Sequence, residues 1–345
     1  MALWRFNGSV WTSSGKTGNS TSANYVEQSG LTDLTNSWTC SDQSNVVQWN
    51  GSVSSNWNTA ANWTVLAGSA SAPPSATDIV NLGTVAFTNQ PSISSTVTVK
   101  NINFGSAQAV ALSLSSGGTL TSGDIHGSWS SDLTHSININ DQTMMVNGDL
   151  MLSHGMNGWD INIGIGSGSL TVNGVLTQSG AASIVFNGAG QLNLSHNFNH
   201  ISGDFTAGNG TVMYSGGENQ DLGAVTYHHL IINKSGAEAF INSPTTITGN
   251  LTIMAGELDN TTIATIKGNV LIEPGATLEN LNLMHVEGNW SNNGTFYASG
   301  EYIFFDGTGT QYISASTFNN LNINKPVGSS AILTGDVGIK DNLTV

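Results

Sequence analysis

Residues 203–234 read GDFTAGNGTVMYSGGENQDLGAVTYHHLIINK, and residues 294–325 read GTFYASGEYIFFDGTGTQYISASTFNNLNINK. Pairing Phe205 with Phe296, and Lys234 with Lys325, gives an offset of 91 both times. Matching Tyr214 to Phe304 gives 90, which reads as a compensated slip of one residue in a turn. Self-similarity at a long fixed spacing marks a chain built by stacking units, each of which buries its apolar edge against its neighbours.

A shorter period lies inside the long one. Gly249-Asn250-Leu251-Thr252-Ile253 recurs as Gly268-Asn269-Val270-Leu271-Ile272 and as Gly288-Asn289-Trp290, at steps of 19 and 20 residues, and Gly148-Asp149-Leu150-Met151-Leu152 is an earlier copy. A second glycine follows in each unit, for example Gly256, Gly275 and Gly294. Glycine at a corner admits a positive φ, and Asn or Asp beside it tolerates the left-handed region. Apolar residues alternate within each unit (Leu251/Ile253, Val270/Ile272, Leu321/Ile323, Leu343/Val345), the period of strands with one buried face.

A unit of about 20 residues with short strands and glycine corners is one coil of a solenoid, whose successive strands pair at roughly 4.8 Å. The expected fold is therefore all-β, a right-handed parallel β-helix (β-solenoid), and 91 residues amount to four or five coils. A β-sandwich array or a propeller needs tight hairpins at regular spacing, and turns such as Asn173-Gly174 do not recur in that way. Helix is disfavoured by 41 glycines in 345 residues and by the lack of apolar spacing at three and four.

Seven Lys+Arg against 22 Asp+Glu give a net charge of −15, and Arg5 is the only arginine. Scattered single lysines cannot displace counterions from nucleic acid or hold an anionic membrane. No apolar run reaches the length of a membrane-spanning helix, and Met1-Ala2-Leu3-Trp4-Arg5 lacks the apolar core of a signal peptide. Cys40 stands alone, so no intrachain disulfide reports a compartment. Low charge with abundant Ser, Thr, Asn and Gly suits a secreted protein whose surface is uncharged yet hydrogen-bonding. Triplets such as Asn50-Gly51-Ser52, Asn250-Leu251-Thr252 and Asn289-Trp290-Ser291 arise by chance in such a composition.

Six of the nine tryptophans, Trp4, Trp11, Trp38, Trp49, Trp57 and Trp63, fall in the first sixty-odd residues. The chain is accordingly divided into an N-terminal Trp-containing tip or cap (1–46), a segment leading into the solenoid (47–120), and solenoid repeats (121–345) that are expected to continue beyond Val345. Asn342-Leu343-Thr344-Val345 repeats the start of the Asn250-Leu251-Thr252-Ile253 unit.

Trp49-Asn50-Gly51-Ser52 through Trp57 and Asn62-Trp63, then Pro73-Pro74 and Asp78-Ile79-Val80, resembles the opening of large secreted bacterial surface proteins with glycine-rich β-solenoids. Gly288 to Phe296 and Phe318 to Lys325 are similar to repeats of giant adhesin-like proteins of Bacteroidetes, commonly cargo of the type IX system, and more distantly to autotransporter passengers. The resemblance covers residues 47 to 345 and implies a bacterial cell-surface or secreted location and an adhesive, structural role. The carboxy-terminal sorting domain of type IX cargo has no counterpart here, and residues 1 to 46 lie outside the resemblance.

Trp49, Trp57 and Trp63 offer two readings: aromatic platforms for sugar rings, or cover for the open end of the solenoid, where apolar side chains and strand edges would otherwise be exposed. Capping is the favoured reading. For catalysis, lyases on this fold use Lys or Arg with acidic residues, and glycosidases need two converging carboxylates. Lys234, Lys267, Lys325 and Lys340 lie on different coils, and Lys234 and Lys325 hold equivalent positions, which points to a repeated structural role. Glu257 with Asp259, and Glu287 with Glu301, are candidate carboxylate neighbours. No catalytic residue is assigned, and the chain is read as a non-enzyme.

His196 and His200 would stand roughly 13 Å apart along a strand, too far for one metal ion. His228 and His229 are expected on opposite faces. No metal site is assigned; calcium bound through Asp and Asn oxygens is left open without ligands. The defensible chemistry is that of ladders: Leu251, Val270 and Trp290 stacked inside, and Asn250, Asn269 and Asn289 at the corner, each amide bonding the next. An ice-binding surface would need a Thr-x-Thr array on every coil, and Thr245-Thr246, Thr248 and Thr252 do not repeat so. Two function classes remain: a structural or adhesive rod, filament or appendage, self-associating or attached to a surface or glycan, and a carbohydrate-binding or carbohydrate-processing module.

Overall fold

The computed structural model describes residues 2–6, 11–15, 18–20, 25–27, 29–30, 37–41, 44–127, 132–153, 159–299 and 301–345. Apart from a single 3-10 turn at Ala60–Asn62, the regular elements among the described residues are strands. They wind into a parallel β-solenoid. Asn45–Trp49 pairs in parallel with Asp78–Leu82, which pairs with Asn101–Phe104, opening an eight-stranded sheet that ends at Phe198–His200. A six-stranded sheet from Ser92–Ile93 to Asp204–Thr206 forms a second side. The third side is the twelve-strand run from Thr96–Thr98 to Ala331–Leu333 of a 15-stranded sheet, whose Gln220–Asp221, Thr277–Asn280 and Thr295–Ala298 strands pair off that run. In the later coils a further six-stranded sheet, Thr245–Ile247 to Leu343–Thr344, takes one side.

Alternation drives this winding. On strand after strand the pattern is partly exposed, buried, partly exposed, buried, as at Ala111–Leu114, Gln191–Leu194 and Thr211–Tyr214. Parallel pairing in register places each inward residue on its counterpart one coil away: Leu230 on Leu251, Leu251 on Val270, Val270 on Trp290. All four are buried. Each such aliphatic side chain contributes about 1.5–3 kcal/mol by leaving water, and no coil can obtain that alone because its inner face is closed only by the others.

The leading glycines serve a purpose different from the expected one. Gly268 and Gly288 do not have positive φ. A Cβ on Gly268 would lie 2.4 Å from the Gly249 carbonyl oxygen, and one on Gly288 would lie 2.2 Å from that of Gly268. These corners demand glycine because the preceding coil's backbone passes where a side chain would begin. The trailing glycines Gly256 (φ 74°) and Gly275 (φ 85°) are the ones in the left-handed region.

The two near copies keep one offset throughout. Tyr214 and Phe305 are the equivalent buried aromatics, each at the inward end of its strand, so the spacing is 91 there too and the supposed slip onto Phe304 is absent. The copies nevertheless lie on different sides. Thr211–Tyr214 belongs to the 15-stranded sheet and Tyr302–Phe305 to the later six-stranded one, so 91 residues comprise four coils and part of a fifth.

The coils begin earlier than composition suggests. Parallel pairing starts at Asn45–Trp49, so residues 47–120 are built from the same coils as 121–345. Within the first 46 residues, Ala2–Phe6 is flanked antiparallel by Trp11–Gly15 and Ser37–Ser41, and Gly18–Ser20 pairs with Tyr25–Glu27. Neither sheet shares a strand with the solenoid.

Candidate functional site

Trp49, Trp57 and Trp63 converge, but inward. Trp49 pairs with Trp63 across an antiparallel edge. The rings of Trp49 and Trp63 lie 4.8 Å apart and those of Trp57 and Trp63 4.6 Å apart, both edge to face. Trp49 and Trp57 are fully buried and Trp63 is 5 % exposed. Trp49 Nε1 donates to the Asn89 carbonyl at 2.8 Å, and Trp63 Nε1 to that of Trp57 at 2.6 Å. A sugar ring needs an open aromatic face, and none of the three has one. The sugar-platform expectation for these tryptophans is therefore corrected: they are core at the first coils.

The inner residues Leu251, Val270 and Trp290 are brought together in one column. Asn250, Asn269 and Asn289 are brought together as well, with a bonding pattern different from amide to amide. Asn250 Oδ1 accepts from the backbone N–H of Asn269 at 2.9 Å, Asn269 Oδ1 from that of Asn289 at 2.8 Å, and Asn289 Oδ1 from that of Tyr312 at 2.9 Å. Each side chain thus satisfies the corner donor of the next coil, where the ladder is interrupted. A direct amide-to-amide contact occurs elsewhere, buried, from Asn260 Nδ2 to Asn280 Oδ1 at 2.7 Å.

Lys234 and Lys325 are pegs. Lys234 is 1 % exposed. Its Nζ donates to the Glu218 carbonyl at 2.6 Å and to Gln220 Oε1. Lys325 Nζ donates to the Gly307 and Gly309 carbonyls at 2.8 and 2.9 Å and to Gln311 Oε1. Each glutamine also accepts from a loop N–H, Gly216 or Gly307, and donates to the preceding coil. The lysine fills a cage of carbonyl oxygens under an outward loop. Burial pulls the Lys234 ammonium down to about 8, partly opposed by the Glu218 charge.

The histidine pair behaves unlike a simple strand. His228 precedes its strand at a corner, and its ring lies 4.2 Å from that of His229, so the expectation of opposite faces is overturned.

The outward groups with perturbed protonation form a carboxylate ladder. Glu238 pairs with Glu257 and Phe240 with Asp259; Asp259 then pairs with Glu279, and Glu279 with Tyr297. Glu257, Asp259 and Glu279 bring carboxylate oxygens within 4.8 Å of one another. Burial, reinforced by the Glu257, Glu279 and Glu238 charges, pushes the Asp259 carboxyl up to about 6. Burial and the Glu238 and Glu279 charges raise Glu257. Asp259 Oδ1 has no hydrogen-bond partner among the described residues. Three oxygens of this kind suit a hard divalent cation such as calcium. Alternatively, a shared proton relieves the repulsion.

Sequence proximity suggested Glu257 and Asp259. Glu279 and Glu238 went unseen because they join through register, one coil to either side. Glu287 and Glu301 are not brought together: Met284 pairs with Ile303, which leaves them at opposite ends of adjoining strands.

No protein-family model matches this chain, and neither a curated protein nor a solved structure does. No helix among the described residues is long and apolar enough to cross a membrane.

Proposed function

We propose that the chain is a structural, adhesive segment of a bacterial surface or secreted rod, with the solenoid as load-bearing shaft. The observation that supports this reading is the parallel pairing of coil on coil among the described residues from Asn45–Trp49 to Leu343–Thr344, joined at corners by side-chain-to-backbone bonds such as those of Asn250, Asn269 and Asn289. Tension along the axis is shared among many strand pairs, and a protease meets few unpaired backbone groups. The reading includes export, through a type IX route in keeping with the resemblance of the repeats, and lateral or end-to-end self-association.

Antibody labelling of intact cells with electron microscopy tests it: surface rods or filaments are expected, and label confined to the cytoplasm would refute it. The carbohydrate alternative now has to use other aromatics, since Trp49, Trp57 and Trp63 face the core. Exposed Tyr297 beside Glu279 is the place to look in a glycan array.

A further inference from the structure

Strand register assembles a surface that no fixed sequence period reveals. On the 15-stranded sheet Thr96 pairs with Thr119 and Thr98 with Thr121; Thr119 pairs with Thr143 and Thr121 with Met145; Thr143 pairs with Ser169 and Met145 with Thr171. The intervening residues Val97, Leu120, Met144 and Leu170 are buried, so every hydroxyl in these pairs points outward. The steps from Thr96 to Thr119, Thr143 and Ser169 are 23, 24 and 26 residues, because the other sides of the coil vary in length. Two columns of four residues result, together seven hydroxyls and one methionine over four successive coils, with no register shift from Thr96–Thr98 to Ser169–Val172.

We infer that this face binds ice. Parallel strands set the hydroxyls about 4.8 Å apart across the sheet, and alternate residues set them about 6.6 Å apart along each strand. Ice repeats its oxygens at comparable intervals along two perpendicular axes. Threonine presents a hydroxyl to bond lattice water and a methyl that water can enclose. In a chain of net charge −15, the outward positions from Thr96 to Met213 on this sheet carry no charge, as a neutral lattice requires. They also carry no aromatic ring, which disfavours a crystalline polysaccharide, whose sugar faces are held by stacking. Ser169 Oγ lies 3.5 Å from Thr143 Oγ1, within hydrogen-bond reach across strands. The threonines considered from sequence alone, Thr245, Thr246, Thr248 and Thr252, belong to other coils and are not this array. The inference does not depend on the adhesive reading, since it concerns the isolated chain.

The test is partition of the purified full chain into slowly grown polycrystalline ice, together with inhibition of ice recrystallisation. Enrichment in ice is expected for the native chain. Thr121→Lys, which seats a hydrated ammonium in the middle of the face, should lower enrichment about tenfold or more. Thr177→Lys, outward on a different sheet, should leave it unchanged. Circular dichroism and a melting curve confirm the fold of each variant. Should Thr121→Lys not fold, the Thr119→Val and Thr121→Val double variant, which keeps shape and strand propensity, is expected to show reduced enrichment. Exclusion of the native chain from ice, or equal loss in Thr177→Lys, overturns the inference. Retention on crystalline cellulose without ice partition, abolished by Thr121→Lys, would overturn it in favour of a polysaccharide.

Discussion

Three glycine-to-alanine replacements probe how the coils hold together. Gly268→Ala puts a Cβ 2.4 Å from the Gly249 carbonyl oxygen and 2.5 Å from Asn250 Oδ1. Both obstacles are held by the adjoining coil, so that coil must move away. Two bonds are lost or stretched with it: Gly268 N–H to Gly249 O at 2.9 Å, and Asn269 N–H to Asn250 Oδ1 at 2.9 Å. At about 1 kcal/mol each, with about 1–3 kcal/mol for overpacking, the expected cost is about 3–5 kcal/mol.

Gly275→Ala meets nothing within 4 Å but forces alanine to φ 85°, a cost of about 1–2 kcal/mol. Gly309→Ala meets nothing and has no positive φ. It is expected to be neutral or to stabilise by about 0.4–1 kcal/mol, by restricting the unfolded chain. Urea denaturation followed by tryptophan fluorescence and circular dichroism together should order the variants Gly309→Ala, Gly275→Ala, Gly268→Ala from most to least stable. A Gly268→Ala chain as stable as Gly275→Ala would refute close coil approach as the reason for the leading glycine.

Removing a lysine peg should cost more than a surface lysine is worth: Lys234→Met leaves the Glu218 carbonyl and Gln220 Oε1 short of a donor and is expected to destabilise by about 1–3 kcal/mol, against about zero for exposed Lys100→Met, in the same denaturation assay. Asp259 holds its proton more tightly in the folded chain (about 6) than at its ordinary value of 3.8. Between those pH values the folded state binds more protons, and this site's contribution to stability falls as pH rises, by about 1 kcal/mol after allowing for solvent screening. Asp259→Asn should therefore stabilise at pH 7 and flatten the slope of melting temperature between pH 4 and pH 6. Tyr227→Phe removes the hydroxyl that donates to the Gly223 carbonyl at 2.7 Å and contacts Tyr214 Oη at 3.0 Å. A loss of about 1–3 kcal/mol is expected by calorimetry.

The fold was legible because its signal is local: alternation at Leu251/Ile253 and Val270/Ile272, and glycine-asparagine corners at near-constant steps, both survive without knowledge of which coil touches which. The outward surfaces were not legible for the opposite reason. Glu238, Glu257, Asp259 and Glu279 meet through pairing across three coils, and Thr96, Thr119, Thr143 and Ser169 align across unequal steps. Only the register, fixed by inward packing, shows which outward residues are neighbours. The tryptophans kept two readings, with capping favoured over a sugar platform, because composition reports a cluster without its direction: Trp57 is as apolar at a first coil as it would be useful on a surface. Lys234 and Lys325 were recognisable as structural through their equivalence, yet their partners Gln220 and Gln311 went unnoticed, although each stands 14 residues before its lysine.

The near copies sit on different sides of the coil, each with its own lysine peg and glutamine. A duplication that ignored the length of the coil therefore still folded, because a strand, its corner and the following strand can be set down on any side whose interior is packed with the same alternating apolar residues. Growth of such a shaft is counted in sides rather than in turns. An inserted module would swing every later loop around the axis, so chains that differ by one module would present the same loops in a different direction while keeping the inward apolar alternation.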